Sequence, residues 1–278
     1  MTRSEAGARR LIDQGAGAEL ANALDADAVT AAVRRARPEV VIDQLSAMPQ
    51  DPADMDRCLP EDVRLRLEGG ANLRRAALDS GARRYLQQSS GFFLKPGKTL
   101  ADESESMALD ASPGIATIAK LFTALEHRAL HSEGIDNVLL RYGAFYGPNT
   151  WYHPDAAVAG QVRRQQLPVI GDGRGAWSFV HVEDAALATV AALSADPGVY
   201  HIVDDHPAPA RVWLPQFALW VGAPPPRQIS ILAAREAIGA DATYCQTKLR
   251  GASNAKARQC LGFRPRPLEW LQLERAAA

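Results

Sequence analysis

The first 46 residues, "MTRSEAGARRLIDQGAGAELANALDADAVTAAVRRARPEVVIDQLS" (1–46), decide how the rest of the chain is read. A charged segment from Glu5 to Gln14 has helical character, and a short extended run follows from Ala18 to Leu24. Asp25 is placed to cap a helix whose apolar residues Ala28, Val29, Ala32 and Val33 recur at helical spacing. Val40, Val41 and Ile42 then form an apolar run of the kind found in buried strands. This is the rhythm of an α/β protein, but no strand stands ahead of the first helix.

Working outward, the pattern continues. Residues Arg64 to Ser80 have helical periodicity and stop at Gly81, and "RRYLQQSS" (83–90) reads as a strand running out into Ser89 and Ser90. A polar loop from Lys95 to Pro113 leads into a predicted helix over Ile115 to Ser132, with Gly134 as its stop, and then the strand "NVLLRYG" (137–143). Strands alternating with helices of ten or more residues predict an α/β fold with a parallel sheet covered by helices on both faces. From Tyr146 the texture changes. "YGPNTWYHPD" is an aromatic, turn-rich loop, "LPVIGDGRGAWSFVHV" (167–182) reads as two short strands about a glycine turn, and Asp184 is placed to cap "AALATVAAL". The change places a soft boundary near residue 145, with a smaller, loop-rich part beyond it.

Composition narrows the class. With 47% apolar and 23% charged residues the chain has the balance of a globular fold, and no apolar stretch approaches the roughly 18 residues of a membrane span. The net charge is −1 and the paired arginines are scattered over helical segments, which argues against nucleic acid as a partner. Cys58, Cys245 and Cys260 are far apart and form no CxxC pair, so a disulfide framework or zinc site is not expected, and a reducing cytoplasm is. The charged first twenty residues lack the apolar run of a secretion signal.

Two glycine clusters invite assignment as phosphate loops, and neither qualifies. "GAGAEL" (15–20) follows a helix where the fingerprint must follow a strand, and has Leu20 where a third glycine belongs. "GDGRG" (171–175) follows a strand but precedes another extended run, so no helix N-terminus receives a pyrophosphate. Both read as turns. His127 and His131, four apart in "HRALH", lack a third ligand for a metal.

The segments "RYGAFYGP" (141–148), "GDGRGAWSFVHVEDAALATVAAL" (171–193), "YHIVDD" (200–205) and "SNAKARQCLGFRPR" (253–266) together resemble the second half of the NAD(P)-dependent epimerase/dehydratase family, the extended or atypical short-chain dehydrogenases. "VVIDQLSAMP" and "ANLRRAALDSGARRYLQQSS" resemble that family's fourth and fifth Rossmann strands with the helix between them. The resemblance implies an N-terminally truncated, Rossmann-like NAD(P)-binding domain over 1–145 and a small substrate-binding part over 146–278, with Met1 to Ser4 at the end of the second strand. The unit that would hold the pyrophosphate, about 30 residues, would precede them. Two outcomes are expected for the empty place at the centre of the sheet: residues 18–24 slide across to pair with 39–45, or the chain is a fragment from a misplaced start.

The resemblance also implies a site. The family pairs a Tyr with a Lys four residues later, the cation lowering the pKa of a phenol otherwise near 10. Here the position four before Lys120 is Ala116, and aligning through Glu126 gives Ile118 and Phe122; no tyrosine occurs between Tyr85 and Tyr142. The dyad is absent. The remaining catalytic candidates are Ser89, Ser90, Lys120, Tyr146 and His153. Cofactor contacts are expected from Arg3, Ser4, Asn22, Ala23, Ser46, Lys120 and Arg141, with NADP mildly favoured over NAD because Arg3 would face a 2′-phosphate. Tyr142, Tyr152, Arg174 and Trp177 are expected to contact substrate, and no metal is expected. The implied activity is an NAD(P)-dependent oxidoreductase or epimerase/dehydratase acting on a small carbonyl or sugar-type molecule, in a soluble protein and as a possible homodimer. The alternatives are a non-redox descendant, either a pseudoenzyme or a cofactor-independent lyase or isomerase, and a binding protein.

Overall fold

A computed structural model describes residues 1–272. In chain order the elements are α1 (Glu5–Asp13), α2 (Ala26–Ala36), β1 (Val40–Asp43), α3 (Met55–Arg64), α4 (Gly70–Asp79), β2 (Arg84–Ser90), α5 (Pro113–Leu130), β3 (Asp136–Tyr142) and β4 (Ala144–Tyr146). There follow α6 (Ala157–Arg163), β5 (Val169–Ile170), β6 (Ala176–Trp177), β7 (Phe179–His181), α7 (Val182–Ala191), β8 (Gly198–Ile202), β9 (Ala208–Pro209), α8 (Ala210–Trp220), β10 (Gln228–Ile229), α9 (Ile231–Ala237), α10 (Ala240–Lys248) and α11 (Ala255–Leu261). A π-helical turn over Leu65–Gly69 joins α3 to α4. No helix among the described residues is long and apolar enough to cross a membrane.

The main sheet has the order β1-β2-β3-β8, all parallel. Side chains alternate across it. Tyr85 and Ser89 face α4 and α5, where the Tyr85 hydroxyl donates to Asp43 (2.8 Å) and the Ser89 hydroxyl to Glu126 (2.5 Å). Leu86, Val138, Leu140 and Tyr142 form the opposite face, packed on Ala185 and Ala188 of α7. A second core, built of Tyr152, Trp177, Phe179, Trp213, Phe217 and Trp270, belongs almost wholly to the chain beyond residue 145. That later chain also supplies β8 to the main sheet.

Asp25 caps α2 as its position predicts, accepting from the amides of Asp27 and Ala28. Elsewhere the structure corrects the sequence reading. Asp184 lies inside the first turn of α7, whose cap is His181; its carboxylate instead takes the backbone and side chain of Arg266. The strands about the 171–175 turn do not pair with each other. Val169–Ile170 pairs with β10, Ala176–Trp177 with β9, and Phe179–His181 with β4. Ile42, expected in a buried strand, is 42% exposed.

The largest correction concerns residues 18–24. They do not pair with 39–45. Leu20 forms an isolated parallel bridge with Thr2, through Thr2 N–H to Glu19 O (2.9 Å) and Ala21 N–H to Thr2 O (3.0 Å). The physical reason is anchorage elsewhere: Ala21 and Ala23 are buried, and Asn72 of α4 donates to Ala23 O (2.9 Å). Gly69 leaves just enough room for this approach, since a Cβ there would stand 3.0 Å from that of Ala23. The only strand paired with β1 among the described residues is β2. On its other side runs an open groove of about 350 Å³, walled by Met1 and Glu19 opposite Val40, Ile42 and Leu45. Of the two outcomes expected for this place, the pairing of 18–24 with 39–45 is therefore overturned.

Candidate functional site

In a parallel sheet the loops that meet a ligand lie beyond the carboxyl ends of the strands. Here those ends are Asp43–Ser46, Ser90–Gly91 and Tyr142–Gly143. Glycine is required at both of the latter junctions. A Cβ on Gly91 would come within 2.9 Å of Arg141 O, and one on Gly143 within 2.7 Å of Ser178 O.

The loop after β1 is held at three points. Asp43 accepts from Leu45 N–H (3.1 Å), Asp62 from Ala47 N–H (2.6 Å), and Pro49 O from the Trp151 indole (2.9 Å). Asp62 also takes Arg66 Nε (2.8 Å), in an ion pair whose two side chains are only 6% and 5% exposed. Arg66 donates onward to Gln88 (3.1 Å), and its guanidinium lies 5.6 Å from the centre of the Phe122 ring. A buried cation thus stands beside the residue that one alignment gives the place of the dyad lysine. Sequence reasoning passed over Arg66, although the Asp62–Arg66 spacing of four on a helix is the signal that could have found it.

Deeper in the sheet lies a second polar network. Glu126 takes Arg141 Nε and Nη2, each at 2.7 Å, besides the Ser89 hydroxyl. Arg141 Nη1 reaches Glu105 O (3.0 Å) and lies 3.3 Å from His201 Nε2. Burial, reinforced by Arg141, pushes the His201 pKa down to about 4, so the ring is neutral. Arg141 and Ser89, expected at the site, are thus both engaged in this interior network.

The other expected residues fall as follows. The Ser90 hydroxyl accepts from Phe92 N–H (3.1 Å) at the mouth of the strand ends. Ser46 is exposed and accepts from Met48 N–H (3.3 Å). Lys120 is exposed on α5 while Phe122 is buried, and Ile118 packs on the same apolar cluster as Phe122. Arg3 stands 3.8 Å from Glu61, both well exposed; Ser4 caps α1; Asn22 accepts from Leu24 N–H. Tyr142 exchanges a hydrogen bond with Thr189 (2.7 Å) and receives one from Gln44. Tyr146 is buried with its hydroxyl unpartnered among the described residues, and desolvation raises its pKa. Tyr152 is likewise buried and raised. His153 is half-buried, 3.8 Å from Asp155. Arg174 is exposed, pairing with Asp172 (3.6 Å) and donating to Thr247 O.

Trp177 donates its indole N–H to Cys245 O (2.9 Å) and meets Phe92 edge-on at 4.9 Å and Trp213 at 4.7 Å. An aromatic wall therefore runs from Ser90 through Phe92 to Trp177. His127 and His131 stack at 4.0 Å, and no group of three metal-ligating side chains occurs among the described residues.

Known proteins share this plan. A 3-diazoavenalumate denitrifying reductase from a Streptomyces species is 41% identical over 254 residues, spanning 90% of this chain and 83% of its own length. The UDP-glucose 4-epimerase of Thermus thermophilus, solved with NAD, superposes with a TM-score of 0.68 at 24% identity, over 92% of this chain and 82% of its own. A dTDP-glucose 4,6-dehydratase from Streptomyces venezuelae, solved with NAD, gives 0.68 at 19% identity, over 92% and 76%. The sequence model of the NAD dependent epimerase/dehydratase family matches residues 3–203, and this chain belongs to that family.

Proposed function

We propose that this chain is a nicotinamide-dependent reductase whose substrate carries a diazo group on an aromatic frame and leaves without it. The observation that carries this reading is α5. No tyrosine occurs along it, Lys120 is exposed, and the alternative dyad positions Ile118 and Phe122 are packed with Leu121 and Leu125. Reducing a carbonyl needs a proton donor at the new alkoxide. A diazonium carbon that accepts hydride becomes C–H as N₂ departs, and no proton is taken up. The loss of the dyad costs that reaction nothing, and the 41%-identical relative is named for a denitrifying reduction of a diazo compound.

The residues fit one half of the cofactor. Polar side chains of Gln44, Ser46 and Ser90 stand at the carboxyl ends of adjacent parallel strands, suited to a nicotinamide riboside. The groove beside β1 is lined mostly by aliphatic side chains, with Glu19 already bound to Arg35 (2.6 Å), and does not fit a pyrophosphate. When bound, the nicotinamide supplies a hydride. The chain's own work is to orient: Ser90 hydrogen-bonds the substrate, the Phe92–Trp177 wall stacks its ring, and the Asp62–Arg66 pair holds the 44–50 loop in place.

The division into a cofactor part (1–145) and a substrate part (146–278) belongs to the same reading, as do a homodimer and a preference for NADP(H) through Arg3. Sedimentation tests the dimer, and a dissociation constant for NADPH at or below that for NADH is expected. The direct test supplies an aryl diazonium salt with NADPH deuterated at the transferred position, and a UDP-sugar and a simple ketone in parallel. Deuterated arene and stoichiometric N₂ are expected, with no solvent deuterium in the product when the reaction runs in D₂O with unlabelled NADPH. Turnover of the ketone or sugar at a comparable rate would overturn the reading.

A further inference from the structure

We propose that Arg66 and Gln88 form a donor pair that holds a neutral oxygen of the bound molecule, a hydroxyl or a carbonyl, at the open end of β2. The proposed function enters only in placing that molecule beside Ser90.

The pair exists because two neighbouring strands end at different heights. Asp43, the last residue of β1, lies opposite Gln87, whereas β2 runs on to Ser90. The edge of β2 from Gln88 onward therefore has no β1 residue beside it. Arg66 reaches this edge from the helical layer and donates Nη1 to Gln88 Oε1 (3.1 Å). Gln88 and Ser90 are two apart in a strand, so their side chains leave the same face.

Several donors there are left unbonded. A guanidinium carries five N–H groups and no acceptor. Arg66 gives Nε to Asp62 (2.8 Å) and Nη1 to Gln88, and Nη2 has no acceptor among the described residues although the side chain is buried. Unlike Arg74 Nη1 and Arg128 Nε, it is not sealed off from solvent. Because arginine can only donate, Gln88 must turn its carbonyl oxygen toward it. Its Nε2 amide then points away, and it too lacks an acceptor among the described residues without being sealed off. The Ser90 hydroxyl accepts from Phe92 N–H and keeps its own proton to give. Donors at one strand end thus await an acceptor, and leaving them unpaired in a low-dielectric site is unfavourable.

The cation is also held in place from two sides. Arg66 belongs to the π-helical turn Leu65–Gly69, a wide turn of the kind that deprives carbonyls of their ordinary partners. The carbonyls of Arg66 and Leu67 are taken up by Arg128 of α5, at 3.4 and 2.8 Å. A second arginine therefore pins the turn that presents the first. Asp62 acts from the other side, with one oxygen on Arg66 and the other on Ala47 N–H (2.6 Å), so the guanidinium is tied to the loop that carries Ser46.

Charge decides the class of acceptor. Asp62 already balances Arg66 within a buried ion pair, and a carboxylate or phosphate would bring a third charge out of water with no counter-ion left for it. A hydroxyl or carbonyl oxygen can accept from Arg66 Nη2 and Gln88 Nε2 without that penalty. Such an oxygen can come from a nicotinamide riboside or from a substituent on the substrate's ring.

The test uses the full chain and reads binding rather than turnover. Dihydronicotinamide riboside and p-cresol are titrated separately, following the Arg66 Nε–H and Gln88 side-chain amide signals by nuclear magnetic resonance. Asp62→Asn combined with Arg66→Met removes both charges together, keeps an oxygen for Ala47 N–H, and so strands no buried carboxylate. At least one probe should move both signals and bind roughly 10- to 100-fold more weakly to the double variant, with Ala47 amide exchange unchanged. Loss for the riboside assigns the oxygen to the cofactor, and loss for p-cresol assigns it to the substrate. Arg66→Lys, which keeps the charge beside Asp62 but not the planar fork, should fold normally and bind as weakly as the double variant. The proposal is overturned if neither probe moves the two signals, if the double variant binds like the parent, or if weaker binding always comes with a freed Ala47 amide. Benzoate binding through the same signals more tightly than p-cresol would overturn the neutral class. Denitrification of a diazonium salt with no role for Arg66 sinks this proposal alone, and binding through Arg66 in a chain that reduces only ketones sinks the proposed function alone.

Discussion

β2 and β1 are neighbours in one sheet and differ in almost every respect that makes a strand secure. β2 runs seven residues with partners on both edges, and its side chains are buried along nearly the whole length, including Gln87 and Ser89. β1 runs four residues, has one partnered edge, and leaves Ile42 in solvent. What covers a strand decides which residues it can carry. Ser89 and Arg141 are tolerable inside because Glu126 satisfies both. The sheet is therefore graded, firmest at β2 and β3 and weakest toward residue 1.

That gradient can be broken by mutation. Trp213→Ala, in the aromatic core, should cost about 3–5 kcal/mol in urea denaturation followed by far-UV circular dichroism. Glu126→Ala should cost about as much, by leaving Arg141 buried without its partner. Val29→Ala in α2, equally buried, should cost about 1–2 kcal/mol, because a smaller group is removed from a helix whose Ala32, Val33 and Ala36 border an open groove. Equal losses for Trp213→Ala and Val29→Ala would abolish the distinction.

Acid sharpens it next. His201 stays neutral to about pH 4 when folded but titrates near 6.5 unfolded, so the unfolded state takes up the extra proton between those values. Its contribution, on the order of 3 kcal/mol, is lost as pH falls from about 6.5 to 4. Asp204, buried and raised to about 7, works in the opposite sense: its contribution is present at low pH and lost as pH rises from about 4 to 7. The two slopes oppose each other over one window. His201→Gln should expose the second alone, giving a protein that loses stability as pH rises from about 4 to 7. Asp204→Asn should give the reverse, and a pH profile unchanged in both variants would remove either group from the account.

Hydrogen exchange gives a smaller but more local measure. The Thr2 and Ala21 amides, which bridge only each other's segments, should exchange roughly 100-fold faster than those of Leu86 and Gln88. The smallest effect expected is at Lys120. Lys120→Ala should lower turnover roughly tenfold or less, against the roughly 10²- to 10⁴-fold of an acid/base group. A complete loss with the fold intact would return Lys120 to the chemistry.

Much of the fold was legible in residues 1–46 and 83–143, because helical and strand periods alternate there and Asp25 and Gly81 mark their ends. Pairing was less legible. The two-residue strands at 169–170 and 176–177 find partners more than thirty residues away, and nothing in so short a run specifies a neighbour. Residues 18–24 were misplaced because their anchor, Asn72 and Gly69, lies on a distant helix and the turn before it. At the site, the lack of any tyrosine between Tyr85 and Tyr142 could be read directly from the residues. Arg66 and Phe92 could not, since their importance comes from meeting Phe122 and Trp177 across the fold.

All five tryptophans of the chain, Trp151, Trp177, Trp213, Trp220 and Trp270, lie in or against one aromatic cluster in the later part. Apart from the Trp151 contact with Pro49 O, indole emission therefore reports that part and is dark to residues 1–46. If the opening segment melts first, fluorescence will show a single clean transition while the backbone signal has already begun to fall. Coincidence of the two curves is the usual criterion for two-state unfolding. In this molecule the separation between them is itself an optical ruler for the gradient along the sheet, and a ring stacking against Phe92 and Trp177 would quench the same light.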